Sequence, residues 1–290
     1  MKEIRGIITA MATPFDENGK VDSDAARRLA AHLLEHGSHG LVVAGTTGEC
    51  PTLTDEEEID LLRAVRAEVG DDVLLVCGTG TNDTRHSGEL TKMAAEAGAD
   101  ASLVVAPYYN KPNRTGLRAH FEAVAAAVPE LPLIMYNIPA RVVINMPPDL
   151  LAELAAVDNI VAVKQANDEE LGPIEGLAIL AGNDDVFLRV LQFGGAGGIT
   201  VASHVVGEQM REMWDAAQGG DLERAAAIDA ELTPVYEGLA VTTNPIPIKA
   251  ALEMLGLASG RMRLPLVSAD AEQRAAVRAA LEGIGLPVAS

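Results

Sequence analysis

Ile160-Val161-Ala162-Val163-Lys164 is an apolar run of strand length that ends abruptly on a lysine. Such a run suits a strand buried on both faces, as in a parallel sheet covered by helices. Working outward, runs of the same kind recur at Ile4-Ile8, Leu41-Ala44, Val73-Cys77, Leu103-Ala106, Leu133-Tyr136, Ala178-Ala181 and Ile199-Ala202, which makes eight strands in all. The segments between them carry helical periodicity, clearest in Ala26, Leu29, Ala30, Leu33 and Leu34 and again in Leu61, Leu62, Val65 and Val69. Thr54 with Glu57 three residues on has the form of a capping box, and Gly37, Gly70 and Gly98 stand where helices should close in a left-handed conformation.

Eight βα units with short connections predict an α/β fold of the (β/α)8 barrel type. The remainder of the chain reads as helices over Leu222-Tyr236, Pro247-Leu255 and Ala269-Leu281. The expected organisation is therefore a barrel over 1–220 and a C-terminal helical domain over 221–290. A doubly wound open sheet is the competing arrangement, but it usually carries a phosphate loop. The nearest candidate, Gly78-Thr79-Gly80-Thr81-Asn82-Asp83, has Asp where a dinucleotide fingerprint needs its third glycine, and no Walker-type lysine motif occurs.

Composition narrows the function classes. Of the 290 residues 48% are hydrophobic but only 3% aromatic, so the core must be built from Leu, Val, Ile and Ala. A formal net charge of -20 repels nucleic acid and anionic membranes, and no run approaches the roughly 20 apolar residues of a membrane span. An anionic substrate would have to be met by a few local cations and backbone amides. Two cysteines, Cys50 and Cys77, without CxxC spacing, and an opening Met-Lys-Glu-Ile-Arg-Gly without a secretory apolar stretch, lead us to expect a cytoplasmic protein.

In a barrel the reacting groups come from the carboxyl ends of the strands. Here those ends carry Thr9, Gly45-Thr46-Thr47-Gly48-Glu49, Gly78-Thr79, Pro107-Tyr108-Tyr109-Asn110, Tyr136-Asn137, Lys164, Gly182-Asn183-Asp184 and Ser203. A lysine at the mouth of a barrel can lose solvation, keep its amine neutral and attack a carbonyl; the bland alternative is an ammonium pointing into water. Tyr136 ends the neighbouring strand, where a phenol can pass protons. The turn from Gly45 to Gly48 can converge backbone N–H groups on a carboxylate, although an ordinary tight turn has the same composition. Arg141, in the loop after Tyr136, can pair bidentately with a carboxylate. His32-Leu33-Leu34-Glu35-His36 matches a zinc-hydrolase pattern, but it closes an outer helix away from the mouth and has no evident third ligand.

Ala12-Thr13-Pro14-Phe15, Gly45-Thr46-Thr47-Gly48-Glu49, Pro107-Tyr108-Tyr109-Asn110, Tyr136-Asn137-Ile138-Pro139 with Arg141, Val163-Lys164 and Asn244-Pro245-Ile246-Pro247-Ile248-Lys249 together resemble the dihydrodipicolinate synthase / N-acetylneuraminate lyase family of class I aldolases, over nearly the whole chain. Thr46-Thr47 and the Asn244-to-Lys249 segment look most like its synthase branch. The resemblance implies that Lys164 forms a Schiff base with pyruvate and that Tyr136 donates and accepts protons. It implies that Thr46 and Tyr109 continue the relay, with Tyr109 crossing a subunit interface of a homotetramer, a dimer of dimers. It implies further that Thr47 and Ile199 contact pyruvate and that Arg141 holds the carboxylate of aspartate semialdehyde. No metal or organic cofactor is expected, because a protonated imine is its own electron sink. Val142-Val143 stands where many synthases have Thr-Gly, and Gln165 where Glu is usual, which bears on the aldehyde partner. Asp55 and His86 stand where lysine-sensitive members carry histidine and glutamate, so lysine inhibition is not expected. The other functions open at this point are a related pyruvate lyase acting on a sugar acid, a metal-dependent barrel hydrolase using His32 and His36, and a non-catalytic binding relative.

Overall fold

A computed structural model describes residues 2–288. Eight parallel strands close into a barrel in sequence order: β1 (Gly6–Ala10), β2 (Gly40–Val43), β3 (Leu74–Gly78), β4 (Ala101–Val105), β5 (Leu133–Asn137), β6 (Ile160–Gln165), β7 (Ala178–Ala181) and β8 (Gly197–Thr200), with β8 pairing back onto β1. Side chains on both strand faces are buried because helices wrap the outside, which is why the strands read as continuous apolar runs.

Helices α1 (Ser23–Glu35), α2 (Asp55–Val69), α3 (Thr84–Glu96) and α4 (Arg114–Ala127) follow the first four strands. The capping box on α2 is present, with the Thr54 hydroxyl accepting from Glu57 N–H and the Glu57 carboxylate accepting from Thr54 N–H. Gly37, Gly70 and Gly98 all have positive φ, as their positions after helices require. After β5 come the short α5 (Pro139–Val142) and α6 (Pro148–Leu154), and after β7 comes α7 (Phe187–Gln192).

The structure departs from the expected pattern at three places. The β6–β7 connection holds only a 3₁₀ turn, Asp168–Glu170, since Gly172-Pro173 and Gly176 interrupt any helix there. The first strand starts at Gly6 rather than Ile4. The last starts at Gly197, ahead of Ile199: its φ is +131°, and a Cβ on it would lie 2.1 Å from the carbonyl oxygen of Gly6. Only glycine lets β8 come close enough to β1 to close the barrel, and an apolar-run criterion does not see glycine.

Beyond β8 lie α8 (Ser203–Gln218), α9 (Leu222–Leu239), α10 (Ile246–Met254) and α11 (Ala271–Gly283). Ile228, Leu232 and Val235 of α9 and Ala251 and Leu252 of α10 belong to the same buried cluster as the barrel. The chain turns from α8 into α9 at Gly219-Gly220-Asp221, and the opposite face of α9 comes down over the barrel mouth.

Candidate active site

Strand alternation sets the site. In β6 the residue before Lys164 and the residue after it point away from the side that Lys164 faces, and Lys164 pairs in register with Tyr136 of β5. Its Nζ lies 4.5 Å from the centroid of the Tyr136 ring. Both side chains line a cavity of about 640 Å³ at the carboxyl ends of the strands, together with Thr46, Thr47, Arg141, Asp184 and Asn244.

Burial is the main force on the lysine, and it pulls Lys164 down to about 8, with the Asp184 carboxylate opposing and Arg141 assisting. Burial likewise pushes the Tyr136 phenol up to about 12, although the Arg141 charge and a hydrogen bond with Thr46 draw it down. The result is an amine near neutrality beside a protonated phenol. Such a pair can add to a carbonyl and move the protons the addition requires.

The turn after β2 is held from outside the barrel. Glu49, in a left-handed conformation at φ 59°, is buried and paired with the equally buried Lys249 of α10 at 2.5 Å. The second Glu49 oxygen accepts the N–H of Arg263 at 3.1 Å. Asn244 donates from Nδ2 to the Thr47 hydroxyl at 3.0 Å, while its backbone oxygen accepts from Arg141 Nη2 at 3.0 Å. One segment, Asn244 to Lys249, thus positions Thr47, Arg141 and Glu49 together. Asp184 does similar work on the far side, accepting from the N–H groups of Val201 (2.8 Å) and Ala202 (3.0 Å).

Lys164, Tyr136, Thr46, Thr47 and Arg141 are therefore brought together. Ile199 is buried inside β8 and does not line the cavity; Val201, two residues on, does. Tyr109 is also outside the lining, projecting 87% exposed from a left-handed backbone at φ 72°. Gln165 points away from the mouth, where its Oε1 accepts from Asn137 Nδ2 and Asn167 N–H. A glutamate would accept the same two bonds, so this departure from the family pattern leaves the cavity untouched. Val142 is buried, and Val143 sits at φ 69° where a glycine would be unstrained.

The decoy is inert. His32 and His36 stack at 3.9 Å, burial lowers His32, and among the described residues no three His, Cys, Asp or Glu side chains converge as metal ligands do. Burial pushes the Cys50 thiol up to about 12, which removes it as a nucleophile. His86 and Asp55 form a half-exposed pair at 2.9 Å.

Sequence reasoning missed the contribution of α9. Asp229, Thr233, Tyr236 and Glu237 all line the cavity. Their spacing of four, three and one places them on one helical face, a polar stripe that the helical period could have revealed.

The chain resembles known proteins along its length. The sequence model of the Dihydrodipicolinate synthetase family matches residues 3–284. The 4-hydroxy-tetrahydrodipicolinate synthase of Moorella thermoacetica is 48% identical, over 97% of this chain and 98% of its own. Among solved structures, the DHDPS of Cyanidioschyzon merolae with lysine bound superposes with a TM-score of 0.93 at 41% identity, covering 98% of this chain and 100% of that one. The chloride-inhibited dihydrodipicolinate synthase of Acinetobacter baumannii complexed with pyruvate gives 0.94 at 35% identity, with the same coverage of 98% and 100%.

Proposed function

The chain belongs to the dihydrodipicolinate synthetase family, and from that premise we propose that it condenses pyruvate with L-aspartate 4-semialdehyde to give 4-hydroxy-tetrahydrodipicolinate, a lyase reaction of lysine and diaminopimelate biosynthesis. The observation that carries the reading is the buried Lys164 amine, lowered to about 8 beside the Tyr136 phenol.

In this reading Lys164 Nζ adds to the keto carbon of pyruvate, and loss of water leaves a protonated imine. The imine withdraws electrons from the adjacent methyl group, so a methyl proton passes to the Tyr136 oxygen as the phenol hands its own proton to Thr46. The enamine carbon then bonds to the aldehyde carbon of the second substrate, whose carboxylate pairs with Arg141. The substrate's amine finally attacks the imine carbon, displaces Lys164 and closes the ring. Thr47, fixed by Asn244, supports the pyruvate carboxylate, with Ile199 behind the lining.

Tyr109 completes the relay of a neighbouring copy in a homotetramer, a dimer of dimers; its exposed ring on a left-handed backbone supports that role. The two free thiols fit a reducing cytoplasm. A coupled turnover assay comparing aspartate semialdehyde with sugar-acid substrates tests the reading. Turnover with the semialdehyde is expected, and turnover of a sugar acid alone would overturn it.

A further inference from the structure

The cavity is lined by charges of both signs. Arg141 and Lys164 are its cations and Asp184, Asp185, Asp229 and Glu237 its acids, with Asp184 close enough to Lys164 to oppose the lowering of its amine. A cluster of acids alone could be a solvated wall, but two atoms on α9 are shut away from water with nothing to bond, and Asn244 Oδ1 is a third on the same lining. Asp229 Oδ1 is buried without a hydrogen-bond partner, and so is the hydroxyl of Tyr236, a side chain only 7% exposed. Buried polar atoms in folded proteins are normally satisfied, so two orphans on one cavity wall point to a missing partner.

The two orphans share that wall. Both residues line the cavity, and they are seven apart on one face of α9, two helical turns. Burial lifts Asp229 to about 6, with the Asp185 carboxylate adding to the effect, while burial first, and then the Asp229, Asp184 and Asp185 charges, press the Tyr236 phenol upward. An anion would be repelled there. A neutral polyol would gain little from the carboxylates. A group that donates several hydrogen bonds and carries positive charge answers both the orphan oxygens and the surplus of acids.

We propose that Asp229 and Tyr236 of α9 form an ammonium subsite that receives the amino group of the second substrate, in the same cavity as the Arg141 guanidinium that takes its carboxylate. The inference rests on the condensation reading above and extends it: the cavity selects a zwitterionic amino-aldehyde over the same aldehyde without an amine. Two anchored ends would also orient the substrate, and the bound ammonium would pass a proton to the Asp229 carboxylate before the free amine closes the ring.

The test compares wild type with Asp229→Asn and Tyr236→Phe, two changes that keep shape and remove a charge or a hydroxyl. Three measurements are made on each: turnover against aspartate semialdehyde concentration, inhibition by succinate semialdehyde, which lacks the amine, and borohydride trapping of pyruvate on Lys164. The expected result is a rise of about tenfold or more in KM for aspartate semialdehyde in each variant, the size expected for losing a bond to a charged group. Succinate semialdehyde inhibition and pyruvate trapping should stay within about twofold of wild type, which also certifies the fold. An unchanged KM, or an equal loss of affinity for the amine-free analogue, would overturn the subsite while leaving the condensation reading in place. A wild-type enzyme that traps pyruvate but never turns over aspartate semialdehyde would overturn both.

Discussion

Lys249→Met should unsettle the molecule from a point well away from the reacting amine. Lys249 and Glu49 are 1% and 0% exposed, and Lys249 Nζ also lies 4.3 Å from the Phe15 ring centroid. Methionine has nearly the length of lysine and packs well on an aromatic ring, so the change mainly strands the Glu49 carboxylate, left with only the Arg263 N–H. Breaking a buried pair from one side costs about 3–5 kcal/mol. At roughly 2–4 °C per kcal/mol for a chain of nearly this size, the melting temperature should fall by about 6–20 °C. Burial nevertheless outweighs the ion pair in pulling Lys249 below its ordinary value, so the pair as a whole gives little net stability. Adding Glu49→Gln removes the stranded charge and should recover at least half of the loss. Urea titration of wild type, both single variants and the double variant reads the coupling directly. A loss under about 1 kcal/mol in Lys249→Met, or a double variant equal to the sum of the singles, would refute the reasoning.

Reactivity of Lys164 should rise with pH about a midpoint near 8. Its folded value lies below that of a free lysine, so at pH 7 about a tenth of the amine is neutral, against about three parts in ten thousand for an ordinary lysine. The rate of pyruvate adduct formation should follow that curve, and a midpoint near the ordinary lysine value would contradict it. The same shift means that folding opposes protonation of Lys164, so its contribution favours the folded state more as pH rises from 8 toward 10.5. Asn244→Ala removes the bond to the Thr47 hydroxyl and should raise KM for pyruvate about threefold to tenfold while Lys164 still forms its adduct; loss of the adduct would assign Asn244 a different role. Val143→Gly should be more stable by about 1 kcal/mol, since the valine is 66% exposed and held at φ 69°, and a lower urea midpoint would refute that strain.

What could be read from the sequence was what period and chemistry mark locally. The eight strands follow from apolar runs and the clearest helices from period and caps, and Tyr136 and Lys164 could be set side by side because consecutive barrel strands are neighbours. The boundary of β8 was hidden because Gly197 contributes space rather than side chain. Long-range partners were hidden for another reason. Glu49 with Lys249, Thr47 with Asn244, and the α9 wall with the barrel mouth depend on how distant segments dock, and no local pattern encodes a pairing across some 200 positions. The departures at Gln165 and Val143 could be seen but not weighed without knowing that one faces away from the cavity and the other is a surface turn.

The most direct test is to incubate the protein with pyruvate, reduce with borohydride and map the modified peptide, in the presence and absence of a chelator. One pyruvate-derived adduct is expected on Lys164, unaffected by chelation and absent from Lys164→Arg. An adduct on any other lysine, or none at all, would contradict it.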